Sequence, residues 1–209
     1  MDLKTKKCFQ SFFFLGLIFL SLLSYSQTRF DYANWRGFYV GAQIGYSVTH
    51  YQNYQFIIPM TIHSVSDRGP GSSFHVGYNF NRYFAAEMGA AYLHKTIFHE
   101  YIRAPFGFDN ARIKNNIVYF AAKFSIPLPD AIRIFAKLGG GYVVRDRIIY
   151  WEQLIMSGGE ITRPVYGAGI NWRPSPHWEL ELAWLRTAKL ASQRLPPQDF
   201  LGIGAQYLF

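Results

Sequence analysis

The sequence predicts an all-β fold: an eight-stranded antiparallel transmembrane β-barrel over residues 27–209, preceded by a cleavable signal peptide over residues 1–26. Three observations carry this. The chain has 209 residues, of which 50% are hydrophobic and 19% aromatic, with 18 glycines and only one cysteine, Cys8. That content suits one packed or membrane-embedded domain and excludes general disorder, a disulfide scaffold and a zinc site built from several cysteines. Apolar residues recur at every second position after residue 37, and the connections alternate between short and long.

The first element is the targeting segment. Lys4, Lys6 and Lys7 precede an uncharged run of twelve residues, Phe12 to Leu23, and Ser24-Tyr25-Ser26 supplies small residues before a cut at Ser26/Gln27. Twelve apolar residues fall short of the roughly 20 that a spanning helix needs. Cys8 lies before the apolar run, so it is not a lipoprotein acceptor. No later stretch is long and apolar enough for a helical span.

Eight period-2 segments follow. Phe38, Val40, Ala42, Ile44, Tyr46 and Val48 alternate with Tyr39, Gly41, Gln43, Gly45, Ser47 and Thr49. The second segment centres on Phe74, Val76 and Tyr78, and the third on Phe84, Met88 and Tyr92. The fourth places Val118, Phe120 and Phe124 opposite Tyr119, Ala121 and Lys123, and the fifth places Ile134 and Leu138 opposite Arg133, Phe135 and Lys137. Tyr166 to Trp172, Trp178 to Trp184 and Leu201 to Phe209 complete the set. Within these segments every charge shares a face with the glycines, and the other face is apolar. In a soluble barrel the bulky apolar face would point inward and the outside would be charged. The opposite distribution points to a narrow polar lumen and a lipid-facing exterior.

The connections agree. Asn81-Arg82, Pro127–Ala131 and Arg173–His177 are tight, whereas roughly 50–71, 94–115, 146–163 and 186–198 are long. Closure removes edge strands, as hydrocarbon demands. The expected placement is the outer membrane of a Gram-negative bacterium, with long loops extracellular and both termini periplasmic.

The stretch Asn34-Trp35-Arg36-Gly37-Phe38-Tyr39-Val40-Gly41 resembles the opening strand of small outer-membrane barrels of the OmpA/OmpX-like superfamily, in the branch that begins Asp-Trp-x-Gly-Phe-Tyr-x-Gly. Val76 to Glu87 resembles the family's second hairpin, and Lys137 to Tyr142 and Val165 to Gly169 resemble its fifth and sixth strands. The resemblance spans the whole chain after the leader. It implies a barrel without the peptidoglycan-binding domain of full-length OmpA proteins. Ala205, Tyr207 and Phe209, at alternate positions of the last segment, resemble the signal read by the outer-membrane assembly machinery.

The ionisable residues expected in the lumen are Glu87, Lys123, Lys137 and Glu181, each three to five residues above the short-turn end. Two acids and two bases in one layer can neutralise each other, as a structural plug or as the gate of a small pore. Glu87 and Lys123, on neighbouring strands, are expected to meet. A carboxylate locked in such a network is poorly placed for hydrolysis. His99-Glu100-Tyr101-Ile102-Arg103 lacks the second histidine of a zinc-protease motif, and Leu138-Gly139-Gly140-Gly141 lacks the Lys-Ser/Thr of a phosphate loop. No cofactor or metal is expected, and no His/Ser/Asp grouping matches the eight-stranded lipid A deacylases or palmitoyltransferases. The net charge of +8 places Arg103, Arg112, Lys114, Arg145, Arg147, Arg163, Arg186, Lys189 and Arg194 in or beside the long loops. Loop cations beside a membrane suit lipopolysaccharide phosphates rather than nucleic acid. For the loop aromatics Phe98, Tyr101, Phe106, Phe108, Tyr150 and Trp151 the resemblance implies contacts to host proteins, haem or other surface ligands, although these residues form no readable motif. The expected function is non-enzymatic support of envelope integrity and surface interaction. The alternatives are a low-conductance porin and a lipid-modifying membrane enzyme.

Overall fold

The computed structural model describes residues 36–51, 62–100, 109–145, 148–150, 153–156, 159–188 and 196–209. The expected signal peptide lies outside them, as do the loop residues Arg103, Arg147, Lys189, Arg194, Tyr101, Phe106, Phe108 and Trp151. Eight strands make the barrel: β1 (Gly37–Thr49), β3 (Arg68–Asn79), β4 (Phe84–Tyr92), β7 (Asn115–Pro127), β8 (Ile132–Arg145), β11 (Gly159–Trp172), β12 (Trp178–Thr187) and β13 (Gln198–Leu208). They close in the order β1-β13-β12-β11-β8-β7-β4-β3, every pair antiparallel. The closing seam runs from Tyr39 opposite Leu208 to Thr49 opposite Gln198.

The period-2 pattern becomes two unlike surfaces. Phe38, Ile44, Phe120, Ile126, Leu138 and Ile203 are exposed on the outside, where hydrocarbon would cover them. Tyr39, Gln43, Glu87, Lys123, Lys137 and Glu181 are buried inside. Aromatics crowd the short-turn end, where Trp178 and Phe209 both meet the Tyr207 ring edge-on. At the other end Tyr166 meets Trp184 in the same way. The two groups stand where the interfacial girdles of a membrane barrel stand.

The short turns follow from local chemistry. Asn81 accepts from the backbone N–H groups of Tyr83 and Phe84 through its side-chain oxygen, which fixes the first turn. In the second, Asp130 and Ala131 both have φ near +60°, so the chain reverses with the handed twist that a two-residue hairpin turn requires.

The barrel strands run further than the alternation suggested. Strand β3 begins at Arg68 and β11 at Gly159, although Pro70 and Pro164 read locally as breakers. Both prolines sit just outside the pairing with one neighbour. The β3–β4 ladder starts at Ser72, and the β11–β12 ladder starts at Val165. A residue without an N–H costs little where the ladder has no partner. The long connections also contain strands. Strands β2 (Ile62–Ser66), β5 (Thr96–Glu100) and β6 (Asp109–Ile113) form a three-stranded sheet, and β9 (Ile148–Tyr150) pairs with β10 (Gln153–Met156).

Candidate functional site

The lumen holds the chemistry, and it is filled in layers. Next to the short-turn end Arg133 on β8 faces Glu179 on β12, with Nη2 at 2.5 and 2.6 Å from the two carboxylate oxygens. Asn171 donates to the same carboxylate at 2.8 Å, and the Gln206 amide donates to it as well. The β-strand period put all four inside, because each shares a face with the neighbouring lumen glycines or charges on its strand.

Above that layer sits the quartet. Lys123 Nζ lies 2.7 Å from Glu181 and 3.9 Å from Glu87, while Lys137 Nζ lies 2.7 Å from Glu87 and 3.1 Å from Glu181. The four residues named from the sequence therefore lie together, but the short bonds cross the lumen. The expected neighbour pair Glu87–Lys123 is the longest of the four contacts. The register explains this: Lys123 stands opposite Ala85 on β4, while Glu87 stands opposite Ala121. The offset of two residues turns the ammonium towards Glu181 instead.

Three neutral groups complete the quartet, and the sequence reading missed them. Tyr39 and Tyr119 each donate to a different oxygen of Glu87 at 2.9 Å, and Gln43 donates to Glu181 at 2.7 Å. The tyrosine rings reach Glu87 because glycines clear the way. A side chain at Gly77 would collide with the Tyr39 ring, and one at Gly89 with the Tyr119 ring. Lys123 also stands 4.1 Å from the Phe135 ring centre, which favours a cation over the ring face. Each carboxylate thus receives several charge-assisted hydrogen bonds, which is what makes burying a charge tolerable.

A third layer is apolar. Ile117, Val143, Val165, Leu185 and Phe200 pack inside the upper barrel with Ala91 and Leu93, all buried. The interior in this region is a hydrophobic core and not a water column. The alternation had shown mostly small and polar lumen residues; Ala91 and Val165 lay on that face, whereas Leu93, Ile117, Val143, Leu185 and Phe200 stand just beyond the ends of the alternating segments.

Two further differences concern the cations. Arg163, expected in a loop, is a buried residue of β11 that points into the lumen mouth, with Nη1 donating to the Pro196 carbonyl at 2.9 Å. Conversely, the outward face is not free of charge along its full length. The longer strands carry Arg68, Arg186 and Asp199 outward towards the long-connection end, with Arg186 and Asp199 beside the Tyr166–Trp184 contact. Lys114 is exposed there too. Side chains at Arg112 and Arg145 lie outside the description. Ala205 and Tyr207 lie on the outward face of β13, and Phe209 follows just past its end, its amide donating to the Phe38 carbonyl at 3.0 Å across the seam.

A family model described as the OmpA-like transmembrane domain matches residues 33–208. Outer membrane protein A of Escherichia fergusonii is 22% identical over 192 residues, covering 82% of this chain and 48% of the relative. The chain thus spans about half the length of the curated relative it matches. Among solved structures, the N-terminal β-barrel domain of Pseudomonas aeruginosa OprF superposes with a TM-score of 0.53 at 10% identity, over 83% of this chain and 98% of that one. Neisserial surface protein A (NspA) gives 0.52 at 15% identity, over 83% and 97%. At these identities the two structures speak for the fold.

Proposed function

Because the chain belongs to the OmpA-like transmembrane domain family, we propose that this outer-membrane β-barrel works as a non-enzymatic protein of envelope integrity and surface interaction. The observation that carries the reading is the filled lumen. Paired charges occupy two of its layers and apolar side chains a third, leaving the outer wall and the long connections as the working surfaces. In this reading the long connections are extracellular and the termini periplasmic. Their cations meet lipopolysaccharide phosphates, and their aromatics offer contacts to host or other surface ligands. The Ala205, Tyr207 and Phe209 face serves the assembly machinery during insertion.

Single-channel recording of the reconstituted barrel, joined to a detergent-sensitivity assay of cells lacking it, tests the proposal. A closed barrel and a leaky envelope in the deletion strain are expected. Steady conductance in the wild type would make the protein a small pore instead. The charged quartet is the feature that favours that second reading, since breaking its pairs would free a polar path. Such a path ends at the Phe200 layer, so opening requires two unlike barriers to move together.

A further inference from the structure

The outer wall carries a groove beneath a set of cations, and both belong to the same strands. The groove has a volume of about 370 Å³ and is lined by Ala42, Ile44, Ser72, Phe74, Tyr92 and Ile203 among others. It exists because small side chains interrupt a bulky wall. Ala42 pairs laterally with Phe74 and Ala205, and Ser72 pairs with Ile44 and Tyr92. Its exposed lining is almost wholly apolar and faces the hydrocarbon.

Four residues up β3 from Ser72, about 13 Å along the strand, stands Arg68. The ladder through this level runs from Arg68 to Val48, to Asp199 and to Arg186, so the two arginines stand three strand spacings apart, about 14 Å. His50 joins the row, with Nε2 at 2.8 Å from Asp199 Oδ2. Asp199 also accepts from the Trp184 indole at 3.1 Å and lies 3.7 Å from Arg186 Nε. Asp67 lies 3.6 Å from Arg68 through Nε as well. Both ion pairs use the Nε edge. The Nη1–Nη2 edge of each guanidinium, opposite those carboxylates, can take a phosphate in a forked contact. The Arg68 side chain is 68% exposed and that of Arg186 37%.

We propose that this wall holds one molecule of lipid A, the anchor of lipopolysaccharide, with an acyl chain in the Ala42–Ser72 groove and its two phosphates on Arg68 and Arg186. A diphosphorylated disaccharide presents two separated anions, which two arginines three strands apart can meet at once. A phospholipid phosphate can meet only one. The carboxylates of Asp67 and Asp199 lie beside the guanidinium groups, and the groove fixes the depth. The inference rests on the orientation proposed above, in which this end of the barrel faces the leaflet that contains lipopolysaccharide.

The test uses the full barrel refolded in detergent and mixed with diphosphorylated lipid A, phosphatidylglycerol or phosphatidylcholine, with bound lipid counted by native mass spectrometry. Wild type should retain lipid A at least tenfold more than either phospholipid. The double variant Arg68→Gln/Arg186→Gln, and separately Ala42→Phe, should each lower that retention about tenfold while keeping the mobility of the folded barrel on an unheated gel. Equal retention of lipid A and phosphatidylglycerol by the wild type would overturn the two-phosphate site. Undiminished retention by both variants would overturn it too, and would leave the closed-barrel reading standing. Channel openings in the wild type would overturn that reading whatever the lipid count shows.

Discussion

Replacing Lys137 with methionine removes a cation that bridges both quartet carboxylates and keeps most of the length of the side chain. Its ammonium lies 2.7 Å from Glu87 and 3.1 Å from Glu181. At an effective dielectric of about 20 these contacts represent roughly 5–6 kcal/mol each of gross attraction. Dehydration of the ions offsets much of that, and the loss expected on removing one partner of a buried pair is about 3–5 kcal/mol. The penalty arises because Glu87 and Glu181 would then share Lys123 alone, at 3.9 and 2.7 Å. Adding Glu87→Gln restores neutrality: one of the two tyrosines keeps donating to the amide oxygen, and the other accepts from the amide N–H instead. The double variant should therefore lose much less than the sum of the two single changes, with a coupling of about 2–3 kcal/mol. Urea unfolding of the refolded barrel, followed by tryptophan fluorescence, measures all four corners of the cycle. Additivity within about 0.5 kcal/mol would show that the quartet is not an interacting unit and would refute the reasoning. The same Lys137→Met barrel should remain electrically closed, because the Phe200 layer lies above the site.

Other expectations follow from other parts of the molecule. A closed barrel resists detergent until heated, so unboiled protein should migrate apart from boiled protein on a denaturing gel; one common band would contradict the fold. Phe209→Ala should lower the amount of barrel recovered in the outer membrane and raise the periplasmic stress response. Normal insertion would reduce Phe209 to a girdle residue. Ala131→Gly should stabilise the barrel by about 1 kcal/mol in urea unfolding, since Ala131 holds a φ of 60° that glycine adopts without steric cost. A destabilised variant would mean that the left-handed turn costs nothing. Phe200→Ala should cost about 3–5 kcal/mol, like a change in a soluble core, if the upper lumen is dry. A loss below about 1 kcal/mol would show that water already reaches it.

The barrel was legible in the sequence because a strand with unlike faces writes its orientation into every second residue. Phe38 to Val48 needs only that rule. The quartet was legible for the same reason, since Glu87, Lys123, Lys137 and Glu181 interrupt an uncharged face. Its pairing was not legible, because which ammonium meets which carboxylate depends on an offset of two residues between β4 and β7. The Arg133–Glu179 layer had a signal that went unused: Glu179 and Glu181 share a face, so two acids on β12 call for cations at two heights. Tyr39 and Tyr119 carried no signal of their own. Their role comes from Gly77 and Gly89 on neighbouring strands, a relation across the sheet that alternation along one strand does not reveal. Strand ends were lost where Pro70 and Pro164 stand, because a local breaker looks the same whether or not its missing N–H has a partner.

The apolar upper lumen also bears on how the chain reaches its membrane. From Ile117 to Ala122 the sequence reads Ile-Val-Tyr-Phe-Ala-Ala, with side chains of both faces apolar and neither charge nor proline among them. Val143 and Val165 extend the same character to the adjoining strands. In the closed barrel one face of this stretch is sealed among its own strands and the other lies in lipid. Before closure neither shelter exists, and a six-residue uncharged segment of high β propensity is a template for pairing with its copies in other chains. Lys114 and Lys123 flank the segment and discourage that stacking by mutual repulsion. The interior that fills the finished barrel therefore leaves the unfinished chain open to pairing with its own copies until the strands close.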